Sequence, residues 1–95
     1  MKILAAEKEI SSNNKPNYKS ILKAEALRVL ELYQSGIIRE IYFNKNNHAA
    51  ILILECNDEK EATDYLNSLP LVNEELTSFD IIPLIPYTGF SRLFD

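Results

Sequence analysis

Four consecutive aliphatic residues, Ile51-Leu52-Ile53-Leu54, constrain this chain more than any other stretch. Successive side chains of a strand point to opposite faces, so a strand here shows aliphatic groups on both sides of its sheet. The turn before it, Asn44-Lys45-Asn46-Asn47, has residues that tolerate positive φ, and Asn46-Asn47 reads as a two-residue hairpin loop. Ile37 to Phe43, on the other side of that turn, is rich in β-branched and aromatic residues, as a partner strand should be. The centre of the fold is therefore a hairpin pairing 37–43 with 49–56.

The flanking segments complete a βαββαβ order. Residues 2–7 form a short apolar strand. Ser11 to Asn17 is a polar loop, with Asn17 as a helix N-cap. From Tyr18 to Ser35 the apolar residues Ile21, Leu22, Ala26, Val29, Leu30 and Tyr33 recur every three or four positions, one stripe of a helix. Gly36 stops that helix. Asp58 with Glu61 opens a second helix, with Ala62, Tyr65, Leu66 and Leu69 as its buried stripe and Pro70 as its end. Residues 72–78 read as a polar loop and Phe79 to Ile85 as a fourth strand. Pro83 places that strand at a sheet edge, because proline cannot donate to a ladder. The fold class is α+β: a ferredoxin-like antiparallel sheet with two helices on one face.

At 95 residues the chain reads as a single domain, 1–95, with 86–95 as an aromatic C-terminal tail. A domain this size has a modest core. The net charge of −4, with lysines interleaved among glutamates, argues against nucleic acid and against an anionic membrane surface as partners. No stretch approaches the ~18 apolar residues of a membrane span. Cys56 is the one cysteine, so no intrachain disulfide forms, and the expected location is the cytoplasm.

Two helices cover one face of a four-stranded sheet, and a solvated second face should be polar. Here it is not. Ile51 and Ile53 oppose Leu52 and Leu54 across the third strand, and in the fourth Phe79, Ile81 and Ile85 oppose Ile82 and Leu84. An apolar face of that extent calls for a cover. Either the tail folds over it, or two sheets close face to face in a homodimer.

The stretch from Ala24 to Leu71, with Arg39-Glu40-Ile41-Tyr42, His48 before the third strand and Leu69-Pro70-Leu71, resembles muconolactone isomerase and its relatives among the dimeric α+β barrel proteins. The strings Asp80-Ile81-Ile82-Pro83-Leu84, Pro86-Tyr87 and Gly89-Phe90 are similar to those of uncharacterised bacterial proteins grouped with that isomerase. The resemblance implies the fold, a dimeric α+β barrel and higher assembly. It carries no catalytic residue over to this chain.

One histidine, one cysteine and two glycines exclude a Cys/His zinc site and a glycine-rich phosphate loop, so neither metal nor cofactor is expected. Chemistry would fall to carboxylates, tyrosines, Arg39 or His48. With Asn46-Asn47 as the loop, Lys45 faces His48, Tyr42 faces Ile51, Glu40 faces Ile53 and Ile38 faces Glu55. Arg39, Ile41, Phe43, Leu52, Leu54 and Cys56 then meet the helices. The opposite face gathers Glu40, Tyr42 and Glu55 as a candidate pocket between paired sheets, with Glu7 of the first strand nearby. Arg39 and His48 are weaker candidates. Rim salt bridges account equally for Glu40 and Glu55, a partner's carboxylate for Arg39, and a solvated turn for His48. Three function classes fit: an enzyme of isomerase type acting on a small organic molecule, a ligand-binding protein without turnover, and a structural oligomerisation module.

Overall fold

The computed structural model describes residues 1–9 and 18–95. Four strands, β1 (Lys2–Glu9), β2 (Ile38–Phe43), β3 (Ala50–Glu55) and β4 (Thr77–Leu84), form one antiparallel sheet in the order β2-β3-β1-β4. Helices α1 (Tyr18–Gln34), α2 (Glu59–Asn67) and the short α3 (Pro70–Asn73) join them, and a 3₁₀ segment spans Gly89–Phe94. This is the expected ferredoxin-like arrangement, with β4 and its Pro83 at an edge. The expected loop at 11–17 and the Asn17 cap lie outside the described residues.

Local chemistry explains the element ends. Helix α1 is built from good helix formers, Ala, Leu, Glu, Lys and Arg. It ends at Gly36, whose φ is +85°, with Ile37 N–H donating to the Leu32 carbonyl and Gly36 N–H to that of Tyr33. That pair of bonds is a Schellman motif. At the start of α2 the Asp58 carboxylate accepts from Glu61 N–H at 2.7 Å. Glu61 in turn accepts from the backbone and side-chain amides of Asn57, at 3.2 and 2.9 Å, one residue earlier than a standard capping box would place it.

Four expectations are corrected. Pro70 does not merely end the second helix; it occupies the first turn of α3, where its missing N–H has no intrahelical role. Residues 72–78 are therefore shared between α3, a turn and the start of β4 rather than forming a loop. The hairpin loop has four residues, not two: Asn44 N–H donates to the Ala49 carbonyl at 2.7 Å and His48 takes the left-handed conformation, φ +63°. The register of Glu40, Tyr42 and their partners is as expected, but an irregularity at Arg39 pairs Ile38 with Leu54 instead of Glu55.

The core lies between the sheet and the helices. Ile3, Ile38, Leu52, Leu54 and Leu69 are its largest fully buried side chains, joined by Cys56, Ala62, Leu66 and, from α1, Leu32. Cys56 packs there as a small hydrophobe, its thiol pushed up by burial. The stripe expected for α1 behaves differently. Val29 packs on the core, while Leu22, Leu30 and Tyr33, read as core, are 41–53% exposed. They line an opening between α1 and the sheet. No described helix is long and apolar enough to cross a membrane.

Candidate functional site

Pairing assigns each strand residue to a face. Ile3, Ala5 and Glu7 of β1 share the helix side with Leu52 of β3, Ile41 and Phe43 of β2, and Phe79 and Ile81 of β4. Lys2, Leu4, Ala6, Ile51, Ile53, Glu40, Tyr42, Asp80, Ile82 and Leu84 share the open side. Towards the end of the sheet where β1 and β2 finish, α1 stands off and leaves a cavity of about 640 Å³. Leu22, Ala26, Val29, Leu30 and Tyr33 form its helix wall, and Ile41, Phe43, Ala50, Leu52 and Phe79 its sheet wall. Leu69 and Leu71 close one end. A second recess of about 470 Å³ shares Glu7, His48 and Leu71 with it.

Two carboxylates interrupt this apolar lining, Glu7 from β1 and Glu25 from α1. Glu25 accepts Leu71 N–H at 3.0 Å, satisfying a donor of the first turn of α3 that has no intrahelical partner. Burial pushes the Glu25 carboxyl above its ordinary value; the Leu71 bond opposes that, and the charge of Glu7 adds to it. Glu7 accepts Ala50 N–H at 2.8 Å, and its other oxygen lies 3.1 Å from the Thr77 hydroxyl, which also reaches the Lys8 carbonyl at 2.7 Å. His48 stacks on Phe43, ring centroids 4.1 Å apart, and edges the cavity. No Lys or Arg appears among the described residues lining the cavity. The arrangement is an apolar chamber with carboxylates able to accept hydrogen bonds or move a proton.

The residues singled out from sequence are distributed between two faces. Glu40 and Tyr42 meet on the open face, where the Tyr42 hydroxyl donates to Glu40 at 2.7 Å and that bond pushes the phenol up. Glu55 is on the same face, but its carboxylate is taken by the Met1 amino group at 2.7 Å, which holds it below the usual range. Glu7 does not join them, because its odd position in β1 turns it to the helix side. Arg39 folds back on the α1–β2 turn and donates to the Gly36 carbonyl at 2.6 Å. Glu25 escaped the sequence reading. Its signal was an acid three residues after Leu22 and four before Val29, inside the apolar stripe of α1. No group of three or more metal-binding side chains occurs among the described residues.

Comparison with known folds settles the architecture. Muconolactone isomerase superposes with a TM-score of 0.79 at 13% identity, over 94% of this chain and 93% of that one. The fold is that of muconolactone isomerase. A 5-chloro-2-hydroxyhydroquinone dehydrochlorinase from Burkholderia phenoliruptrix, solved with 2,5-dihydroxybenzoquinone, matches with a TM-score of 0.61, again at 13% identity, over 94% of this chain and 98% of its own. No family model and no curated protein sequence matches the chain.

Proposed function

We propose that this muconolactone isomerase-like domain holds a small, mostly apolar organic molecule in the cavity between α1 and the sheet, and that Glu25 exchanges a proton with it. The observation that carries the reading is the place of the half-buried Glu25 carboxyl beside the aliphatic walls of the cavity, where burial raises it above its ordinary value. Glu7, fixed by Ala50 and Thr77, is the second acceptor and orients a ring through its hydroxyl group. Isomerisation by proton removal and return needs no more than such groups. The two structural neighbours, a lactone isomerase and a dehydrochlorinase solved with a hydroxylated quinone, make cyclic oxygenated molecules the first to test.

The open face supports a homodimer. Leu4, Ala6, Ile51, Ile53, Ile82 and Leu84 share it with Lys2, Glu40, Glu55 and Asp80, and Ile82 is 52% exposed in the single chain. A second ligand reading places the molecule between paired sheets beside Glu40 and Tyr42, and is favoured by their hydrogen bond. The buried free thiol of Cys56 suits the cytoplasm.

The test is a thermal-shift screen of small lactones and dihydroxyquinones, followed by turnover of the best binder. Glu25→Gln keeps the acceptor for Leu71 N–H but cannot take a proton. It should retain binding and lose turnover by roughly 10²-fold or more. Turnover undiminished in the variant would remove Glu25 from the chemistry, and stabilisation by none of the panel would leave the binding module without a ligand of this class.

A further inference from the structure

Hydrogen bonding around the cavity under α1 runs in one direction. Two backbone donors beside it are taken by its own acids, Leu71 N–H by Glu25 at 3.0 Å and Ala50 N–H by Glu7 at 2.8 Å. The Thr77 hydroxyl has one hydrogen for two acceptors, the Lys8 carbonyl at 2.7 Å and Glu7 Oε2 at 3.1 Å, so it has none for a third. Glu25 Oε1 accepts the Leu71 bond, and Oε2 has no protein partner among the described residues. The cations of the neighbouring elements are bound elsewhere. Lys8 reaches Asp80 on the open side at 3.0 Å, Arg28 reaches Ser68 and Glu31, and Arg39 reaches the Gly36 carbonyl. Two lining side chains with donors remain, Tyr33 and His48, and both are exposed at the edge, His48 flat against Phe43.

A polar group entering this cavity therefore meets oxygen acceptors set in apolar walls. A hydroxyl or an amine supplies the hydrogen that those oxygens lack. An ether supplies none and leaves them unpaired, the situation in which a site built to accept a hydrogen bond rejects the analogue without the donor. A carboxylate also brings none. It is repelled by Glu7 and Glu25, and it loses its hydration with no donor in exchange. We infer that the cavity takes small apolar molecules that present a hydroxyl or amino donor to Glu7 and Glu25, and turns away carboxylates of the same shape. The inference names a ligand class for the site proposed above and rests on that cavity being the place where the ligand binds. Its volume of about 640 Å³ lies within the usual range of small-molecule sites.

Compounds with one cyclohexyl body separate charge from hydrogen donation: cyclohexylmethanol, cyclohexylmethylamine, cyclohexylmethyl methyl ether and cyclohexanecarboxylate. Each is titrated into the full chain at neutral pH and followed by methyl NMR at Val29, Leu52 and Leu71, which line the cavity. The alcohol and the amine should bind there, with the ether and the carboxylate weaker by roughly tenfold or more. An ether or a carboxylate that binds at those methyls as tightly as the alcohol would overturn the ligand class and leave the cavity as the site. Silence of those methyls with every compound would instead remove the cavity as the site, and the class with it. The variants Glu7→Gln and Glu25→Gln keep an acceptor oxygen for Ala50 and Leu71 and replace the negative charge with N–H donors. In each, the carboxylate should gain on the alcohol. An unchanged ratio of the two affinities in both variants would show that these acids do not set the preference, and a preference for the carboxylate lost in His48→Gln would assign recognition to the rim instead.

Discussion

Glu7 and Glu25 are two acids at positions where sequence periodicity calls for apolar residues, and both are held by backbone N–H groups rather than by cations. That distinguishes them from Glu55, which is paired with the Met1 amino group. The pH consequences have opposite signs. The Glu25 carboxyl is raised from its reference of 4.5, so its stabilising contribution is full below that reference and is lost as pH rises through the folded value. Urea unfolding should therefore show Glu25→Gln to be more stable than the parent at neutral pH, with the gap closing in acid below the reference. An equal difference at both pH values would mean the carboxyl is not desolvated. Glu55 is lowered by the amino group first, so its contribution is present at neutral pH and lost in acid. The candidates read from sequence were the conspicuous polar groups of β2 and β3, with Glu7 of β1 and His48 of the turn. The acids of the helix side were legible in principle, Glu7 by parity with Ile3 and Ala5 and Glu25 by its place in the α1 stripe. Glu7 was read but set on the opposite face, and Glu25 went unread because an acid in an apolar series looks like a solvated interruption until the two elements face each other.

At the scale of elements, the α1–β2 corner depends on one backbone conformation. Gly36 at φ +85° closes the Schellman bonds from which β2 departs. Gly36→Ala should destabilise by roughly 1 kcal/mol or more, seen as a lower denaturant midpoint with unchanged slope. An unaltered midpoint would mean that the corner relaxes freely. Strand pairing was legible because side chains alternate with a strict period of two: the aliphatic run at 51–54 and Pro83 were enough to set faces and an edge. The turn was less so. Its asparagines act through their side chains, Asn44 accepting Asn46 N–H and Asn47 accepting Ala49 N–H, at 2.8 and 3.0 Å, while the positive φ falls on His48, stacked on Phe43. Asparagine tolerates both roles, so composition alone did not choose between them. Pro70 has the same ambiguity, since proline fits both after a helix and in the first turn of the next.

For the whole molecule, two apolar surfaces remain on a single chain, the open sheet face and the tail, and a hollow remains under α1. The proposed face-to-face pair would cover the first. The account rests on the hollow under α1, rather than the space between sheets, being the ligand site. Methyl-resolved NMR during titration with a small lactone or 2,5-dihydroxybenzoquinone separates them most directly. Shifts should concentrate at Val29, Leu52 and Leu71, which line the cavity, and leave Ile51, Ile53 and Ile82 of the open face unmoved. Shifts at the open-face isoleucines with Val29, Leu52 and Leu71 unchanged would contradict it and return the site to Glu40 and Tyr42.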